Sequence, residues 1–206
     1  MKVLLVNGSP HPKGCTFTAL NEVASALEKN GIETEMFRLG LKPVAGCRGC
    51  GICGDTGKCI VDDIVNTFIE KADGYDGFVF GSPVHYASGS GTITSFMDRV
   101  FYAAGAKMAF KPGAVVVSCR RAGSTAALDQ LMKYLTINQM PVVTSQYWTM
   151  VHGAEAEEVL QDVEGLQTMR VLGNNMAWLL RCLEAGKAAG IALPEEEERA
   201  WTNFVR

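Results

Sequence analysis

Residues Met1–Thr18, MKVLLVNGSPHPKGCTFT, decide how the rest of the chain is organised. Val3–Val6 is an unbroken apolar run, the composition of a strand buried on both faces. Asn7, Gly8, Ser9 and Pro10 stop it. The loop that follows carries Ser9, Lys13, Gly14, Cys15 and Thr16, and a helical spacing of apolar residues begins at Phe17. A strand, a small-residue loop and a helix start, in that order, make an anion site. The free N–H groups and positive end of the helix face the loop, and the hydroxyls of Ser9, Thr16 and Thr18 add donors. An ordinary Gly- and Ser-rich turn that binds nothing has the same composition, so the loop alone leaves both readings open.

The kind of phosphate is narrowed by what the loop lacks. A nucleotide P-loop needs Lys-Ser/Thr directly after its second Gly, whereas Gly14 is followed by Cys15-Thr16. Nothing after Gly8 fits the dinucleotide pattern G-x-G-x-x-G. A terminal phosphate held by hydroxyls and backbone amides, without a metal, suits a mononucleotide such as FMN.

Further along, strands alternate with helices. Phe17, Leu20, Val23, Ala24 and Leu27 line a helix over Thr16–Asn30 that stops at Asn30-Gly31. Ile32–Leu39 reads as a second strand. Asp62 is placed to cap a helix lined by Val65, Phe68, Ile69 and Ala72. Phe78–Phe80 is a third, buried strand closed by Gly81-Ser82-Pro83, followed by a helix with Ile93, Phe96, Met97, Val100 and Phe101 inward. Ala114–Ser118 is a fourth strand, Leu128, Leu131 and Leu135 mark a helix, and Pro141–Trp148 is expected to be the fifth strand. Leu166, Met169, Leu172, Met176, Leu179 and Leu183 mark a long last helix.

This alternation implies right-handed crossovers and an α/β fold. The expected form is a flavodoxin-like, doubly wound, five-stranded parallel sheet with helices on both faces. Residues 1–190 are expected to form that domain, with a cysteine loop inserted at 43–60. Residues 191–206 form an acidic tail whose Trp201, Phe204 and Val205 suit an oligomer-contacting arm. Ligands of such sheets lie beyond the strands' carboxyl ends, where the loops Gly8–Thr16, Ser82–Gly91 and Ser118–Ser124 are expected to meet. An isoalloxazine needs a flat, partly apolar slot. Pro83 would fix the second loop, Val84 and Tyr86 border the ring, and Ser82 or His85 donate to it. In the third loop, Arg120 or Arg121 would face the flavin's N1–C2 carbonyl region, where negative charge develops on reduction.

The segment CRGCGICGDTGKC, Cys47–Cys59, has the spacing C-x2-C-x2-C-x5-C. Cys47, Cys50 and Cys53 have ferredoxin-like spacing, and Cys59 is near enough to be a fourth ligand. A [4Fe–4S] cluster is one reading, a four-cysteine zinc site a second, and a metal-free thiol loop a third. Cys15, Cys119 and Cys182 are scattered and read as small packing residues.

Bulk properties set the remaining bounds. The 206 residues carry a net charge of −3 with both signs mixed, which gives no support for nucleic-acid binding. No apolar run approaches a membrane span, and Met1-Lys2 leads into a strand rather than a signal peptide. Seven cysteines, four of them clustered, are unlike a secreted disulfide framework, so a reducing cytoplasm is the expected compartment.

Taken together, GSPHPKGCT, the Cys47–Cys59 segment and GSPVHYAS resemble the NADPH-dependent FMN reductase superfamily, in particular its iron-sulfur flavoprotein-like branch. The resemblance covers residues 1 to about 150. It implies an FMN-dependent NAD(P)H oxidoreductase that reduces a quinone, a flavin or another small-molecule or protein acceptor, with NADPH or NADH as reductant. It further implies that Ser9, His11, Gly14, Cys15, Thr16 and Thr18 hold the FMN phosphate. Pro83, Val84, His85 and Tyr86 would contact the isoalloxazine; apart from the resemblance, the position of the third loop after the fourth strand adds Ser118, Arg120 and Gly123 to the expected cofactor site. Cys47, Cys50, Cys53 and Cys59 would carry the [4Fe–4S] cluster that some members have, and the assembly would be a homodimer or homotetramer. A non-enzymatic flavin and iron-sulfur electron carrier is the alternative.

Overall fold

A computed structural model describes residues 1–202. Its centre is a parallel sheet of β1 (Lys2–Asn7), β2 (Glu33–Arg38), β3 (Gly77–His85), β5 (Gly113–Cys119) and β6 (Met150–His152), in the order β2-β1-β3-β5-β6. A two-residue strand, β4 (Ser88–Gly89), pairs antiparallel with the end of β3. The five parallel strands and their order are those of the flavodoxin-like fold expected from the sequence. Val3–Val6 and Ala114, Val116 and Val117 are completely buried because helices cover both faces of the sheet.

On one face lie α1 (Cys15–Lys29) and α7 (Val163–Ala188); on the other are α3 (Ile64–Lys71), α4 (Gly91–Ala104) and α5 (Ser124–Ile137). Short helices α2 (Ile52–Thr56) and α6 (Ala156–Val159) lie in the connections. The first core holds Leu20, Val23, Leu27, Met169, Leu172 and Met176 against Val79 and Val116. The second is aromatic, with Phe68 packed edge-on against Phe37 at 5.5 Å and Phe96 at 5.2 Å. Gly173 makes the α1–α7 contact close: a Cβ there would fall 2.7 Å from Ala26 Cβ and 2.8 Å from the Val23 carbonyl.

Four local expectations are corrected. Pro141–Trp148 is not the fifth strand. Gly113 N–H donates to Pro141 O (2.9 Å) and Val143 N–H to Gly113 O (2.8 Å), but then the chain leaves the sheet. Asn175 of α7 takes the Thr144 carbonyl (2.8 Å) and Ser145 Oγ donates to Thr168 O (2.7 Å). The chain rejoins at Thr149, whose hydroxyl donates to Val115 O (2.6 Å), and the regular strand is Met150–His152. Second, Gly81-Ser82-Pro83 does not close β3, which runs on to His85 and turns back as β4. Third, the cap of α3 is Asp63, whose carboxylate accepts from Val65 N–H (3.0 Å), while Asp62 accepts from Asn66 Nδ2 (3.1 Å). Fourth, Cys182 is exposed on α7 and packs into no core, although Cys119 is buried. Leu183, expected on the apolar stripe of α7, is 41% exposed.

Beyond α7, residues 191–202 have no regular structure and are exposed, Trp201 included. Phe204 and Val205 lie outside the described residues. Among the described residues no helix is long and apolar enough to cross a membrane.

Candidate functional site

The carboxyl ends of β1, β3 and β5 bring the three expected loops together. Asn7 ends β1 and is completely buried; its Oδ1 accepts from Ser9 N–H (2.9 Å), which folds the chain into the first loop. Ser9 Oγ in turn accepts from His11 N–H (3.1 Å). Gly14 then starts α1 with no side chain capping it, so the first-turn amides are left to a ligand or solvent. A Cβ at Gly14 would come 3.0 Å from His11 Cβ, so the loop is closely wound.

The hydroxyls are distributed differently than their listing in sequence suggests. Thr16 and Ser118, both buried, bond to one another at 2.8 Å, joining the first and third loops across the sheet. Only one of the two protons is used in that bond, so the pair keeps one to donate. Thr18 Oγ1 donates back to Gly14 O (3.2 Å), leaving only its lone pairs. Cys15 turns its thiol to Gly153 O (3.5 Å). Burial, reinforced by Glu158, Glu155 and Glu157, holds that thiol above its ordinary value against its own backbone hydrogen bond.

The second loop is a hairpin. Ser82 Oγ accepts from Ser90 N–H (3.0 Å), and Ser90 Oγ donates to Gly8 O (3.2 Å), tying the hairpin base to the first loop. Val84 pairs with Gly89 and His85 with Ser88. At the tip Tyr86 is fully exposed with φ +58°, and Ala87 N–H donates to His85 O (2.8 Å), a γ-turn. A bulky residue in this conformation costs on the order of 1–3 kcal/mol and persists because the paired strands impose it. Gly123, at φ +92°, starts α5 with its α-carbon against Val84: a Cβ would lie 3.0 Å from Val84 Cγ1. Arg120 and Arg121 are exposed beside it. Pro83 pairs in register with Ser118.

Does this site fit FMN? One buried polar atom there has no partner, Asn7 Nδ2. Together with the uncapped start of α1 and the spare hydroxyl proton of the Thr16–Ser118 pair, it makes a set of donors with no acceptor. That set matches a phosphate monoester.

The cysteine loop lies against α4, whose Arg99 reaches it. Cys47, Cys50, Cys53 and Cys59 are all free and line one cavity of about 200 Å³, with Gly46, Tyr102 and Arg99. Among the described residues no three His, Cys, Asp or Glu side chains converge on one point as a single metal ion requires. Gly49, Gly51 and Gly57 take left-handed backbone, which bends the chain around the cavity. Cys59 is fixed on both sides: its N–H donates to Asn66 Oδ1 and Asn66 Nδ2 donates to its carbonyl, each at 2.9 Å. Arg99 Nε–H donates to Cys59 Sγ at 3.2 Å. Arg99 was not singled out in the sequence; its one signal there is its place beside Val100, three residues past Phe96, on an apolar helix face. Asn7 was likewise missed, though an Asn between a buried strand and Gly-Ser is a standard turn former.

Comparison with known proteins agrees with this construction. The family model for NADPH-dependent FMN reductase matches residues 1–155. An iron-sulfur flavoprotein of Methanocaldococcus jannaschii is 31% identical over 89% of this chain and 100% of its own. One from Methanosarcina thermophila is 23% identical over 91% and 99%. Among solved structures, a flavodoxin from the domain Archaea superposes with a TM-score of 0.60 at 15% identity, covering 88% of this chain and 99% of that one. The fold, the donor-rich first loop and these matches lead to one assignment: the chain belongs to the NADPH-dependent FMN reductase family, in its iron-sulfur flavoprotein branch.

Proposed function

We propose that this flavoprotein oxidoreductase takes electrons from NADPH or NADH onto FMN and passes them to a second acceptor, with a [4Fe–4S] cluster at Cys47–Cys59 as the one-electron relay. The observation that carries the flavin part is the buried Thr16–Ser118 bond beside the unpartnered Asn7 Nδ2, which sets donors at the start of α1 with no protein acceptor. Ser9, His11, Gly14, Cys15, Thr16 and Thr18 form the phosphate cradle. Of these, the backbone amides and the hydroxyls of Ser9 and Thr16 donate, while the Cys15 thiol stays protonated against Gly153. Pro83, Val84, His85 and Tyr86 border the ring, with Ser118, Arg120 and Gly123 closing the third side. The strained Tyr86 tip suits a residue held out to meet a flat ligand. FMN, when bound, supplies the hydride-accepting chemistry, so no side-chain acid or nucleophile is assigned to that transfer.

The cluster part is supported by four cysteines lining one cavity. Thiolates on one tetrahedral zinc lie ~3.8 Å apart, given Zn–S bonds of ~2.3 Å. Four cysteines around a cavity of about 200 Å³ suit a multi-iron group better. The similar proteins named iron-sulfur flavoproteins point the same way. The acceptor is a small molecule or a protein, the domain is 1–190 with the insert 43–60, and the tail 191–206 is an arm for a homodimer or homotetramer.

One spectrum of anaerobically purified protein, with iron and sulfide analysis, tests both cofactors. The expected result is flavin absorbance that bleaches rapidly on addition of NADPH or NADH. Bleaching only by a reduced ferredoxin would replace the enzyme with an electron carrier. Colourless protein holding stoichiometric zinc would end both.

A further inference from the structure

Arg99 is almost fully buried in α4, its side chain 1% exposed, and the flavin chemistry has no use for it. All five of its N–H donors are engaged. Two make a parallel fork on Asp63, Nη1 to Oδ2 at 2.7 Å and Nη2 to Oδ1 at 2.9 Å. The other three reach the cysteine loop. Nη1 donates to Ala45 O (3.3 Å), Nη2 to Val61 O (2.7 Å) and Nε to Cys59 Sγ (3.2 Å). One guanidinium therefore joins the chain just before Cys47 to the chain just after Cys59.

The sulfur is the informative partner. Asp63 alone would neutralise the charge, and a neutral thiol is a weak acceptor for a buried N–H. The bond reaches full strength only when Cys59 Sγ is negative, as it is when bound to iron. Cys59 is also held from both sides by Asn66, whereas Cys47 and Cys50 are exposed. Of the four cysteines, Cys59 is thus the one tied by side chains of neighbouring helices. A cluster that accepts one electron gains one negative charge, and a cationic N–H on its ligand sulfur favours that state.

We propose that Arg99 is the positioning residue of the cysteine loop, fixing Cys59 as the anchor ligand and raising the reduction potential of the group bound there. This rests on the assignment of Cys47–Cys59 as a cluster site. Removing Arg99 alone would strand the Asp63 carboxylate, so the main variant pairs Arg99→Gln with Asp63→Asn. Bound FMN, measured by its absorbance, reports that the fold is retained.

In metal-free protein, peptide-resolved amide hydrogen exchange across residues 59–61 should be at least fivefold faster in the double variant, with α1 unchanged within about twofold. After anaerobic reconstitution with ferrous iron and sulfide, an EPR-monitored titration should give a reduced-to-oxidised ratio at least tenfold lower at fixed potential. That is a shift of about 59 mV for a one-electron couple. Arg99→Lys, which keeps the charge without the fork, should fall between wild type and the double variant. An unchanged exchange rate across residues 59–61 overturns the anchoring role, and an unchanged potential at full iron content overturns the tuning role. Wild-type protein that takes up no iron or sulfide overturns the cluster assignment, and the tuning role with it. The exchange rate in metal-free protein still decides whether Arg99 holds Cys59.

Discussion

The first loop and the cysteine loop are organised by opposite means. Around Gly8–Thr16 the backbone is fitted into the core. Gly8 N–H donates to Gly81 O (2.9 Å), and Asn7, Ser9 and Thr16 are buried. Around Cys47–Cys59 the backbone is exposed and its Gly49, Gly51, Gly54 and Gly57 have open space where a Cβ would be. That loop is held by Arg99, Asn66 and Asp63 from neighbouring helices. Both contact α4: Ser90 at its start touches Gly8, and Arg99 lies nine residues on, about 14 Å along the axis. A site shaped by packing accepts almost no change in its backbone. A site shaped by a few polar clamps tolerates change everywhere except at the clamps.

The same substitution made in each loop separates them most widely. A Cβ at Gly8 would lie 2.8 Å from Ile93 Cβ and 2.9 Å from the Gly81 carbonyl, neither able to move freely. Gly8→Ala should cost about 1–3 kcal/mol in urea unfolding. Thermal midpoint falls by roughly 2–4 °C for each kcal/mol in a chain of this size, and FMN should be lost with it. Gly54 lies within α2 with an open Cβ direction. Gly54→Ala should leave the stability unchanged or raise it by up to ~1 kcal/mol of helix propensity. Equal effects at the two positions would remove the distinction between a packed loop and a clamped one.

Hydroxyl deletions come next and act on binding. A neutral hydrogen bond contributes ~0.5–1.5 kcal/mol, so Ser9→Ala and Thr16→Ala should each raise the FMN dissociation constant about threefold to tenfold. Thr18→Ala should change it little, because that hydroxyl already donates to Gly14 O. Iron content at Cys47–Cys59 should be unaffected by all three. Unaltered flavin affinity in both Ser9→Ala and Thr16→Ala would mean the phosphate lies elsewhere.

This contrast also explains which parts of the molecule were legible in the sequence. The packed half writes itself into local pattern. Val3–Val6, the Gly8–Ser9 break and the helical spacing from Phe17 are consequences of burial at fixed period, and the alternation of such strands with helices along the chain led to the flavodoxin-like sheet that is found. Features made by long-range polar contacts leave no such period. Pro141–Trp148 has the composition of a strand but loses its ladder to Thr168 and Asn175, 23 and 31 residues beyond their partners. Ser82-Pro83 has the composition of a breaker. Pro83 nonetheless lies within β3, beyond the last residue paired with β1, so its missing N–H disrupts no ladder there. The clamp on Cys59 depends on Asp63, Asn66 and Arg99, three residues whose spacing is unremarkable until α3 and α4 are packed side by side. The four cysteines were plain from spacing; what holds them was not.

The smallest effect concerns the thiols themselves, because each loop contains cysteine in a different setting. In metal-free protein Cys47 and Cys50 are exposed, whereas Cys15 is partly buried against Gly153 with its thiol held above the ordinary value by burial and nearby glutamates. The thiolate is the nucleophile, so a raised value lowers the reactive fraction at neutral pH. Iodoacetamide near pH 7.5 should therefore modify Cys47 and Cys50 first and Cys15 last. The Cys15 rate should climb close to tenfold per pH unit and still be rising past pH 9, the ordinary value its thiol exceeds. The start of α1 acts in the other direction, since a positive helix end and its backbone N–H favour thiolate. The burial of Cys15 and its three acidic neighbours outweigh that attraction. If Cys15 instead labels as fast as Cys47 at neutral pH, the first loop is open to solvent at its helix start, and the contrast between a packed loop and an exposed one fails where the phosphate is placed.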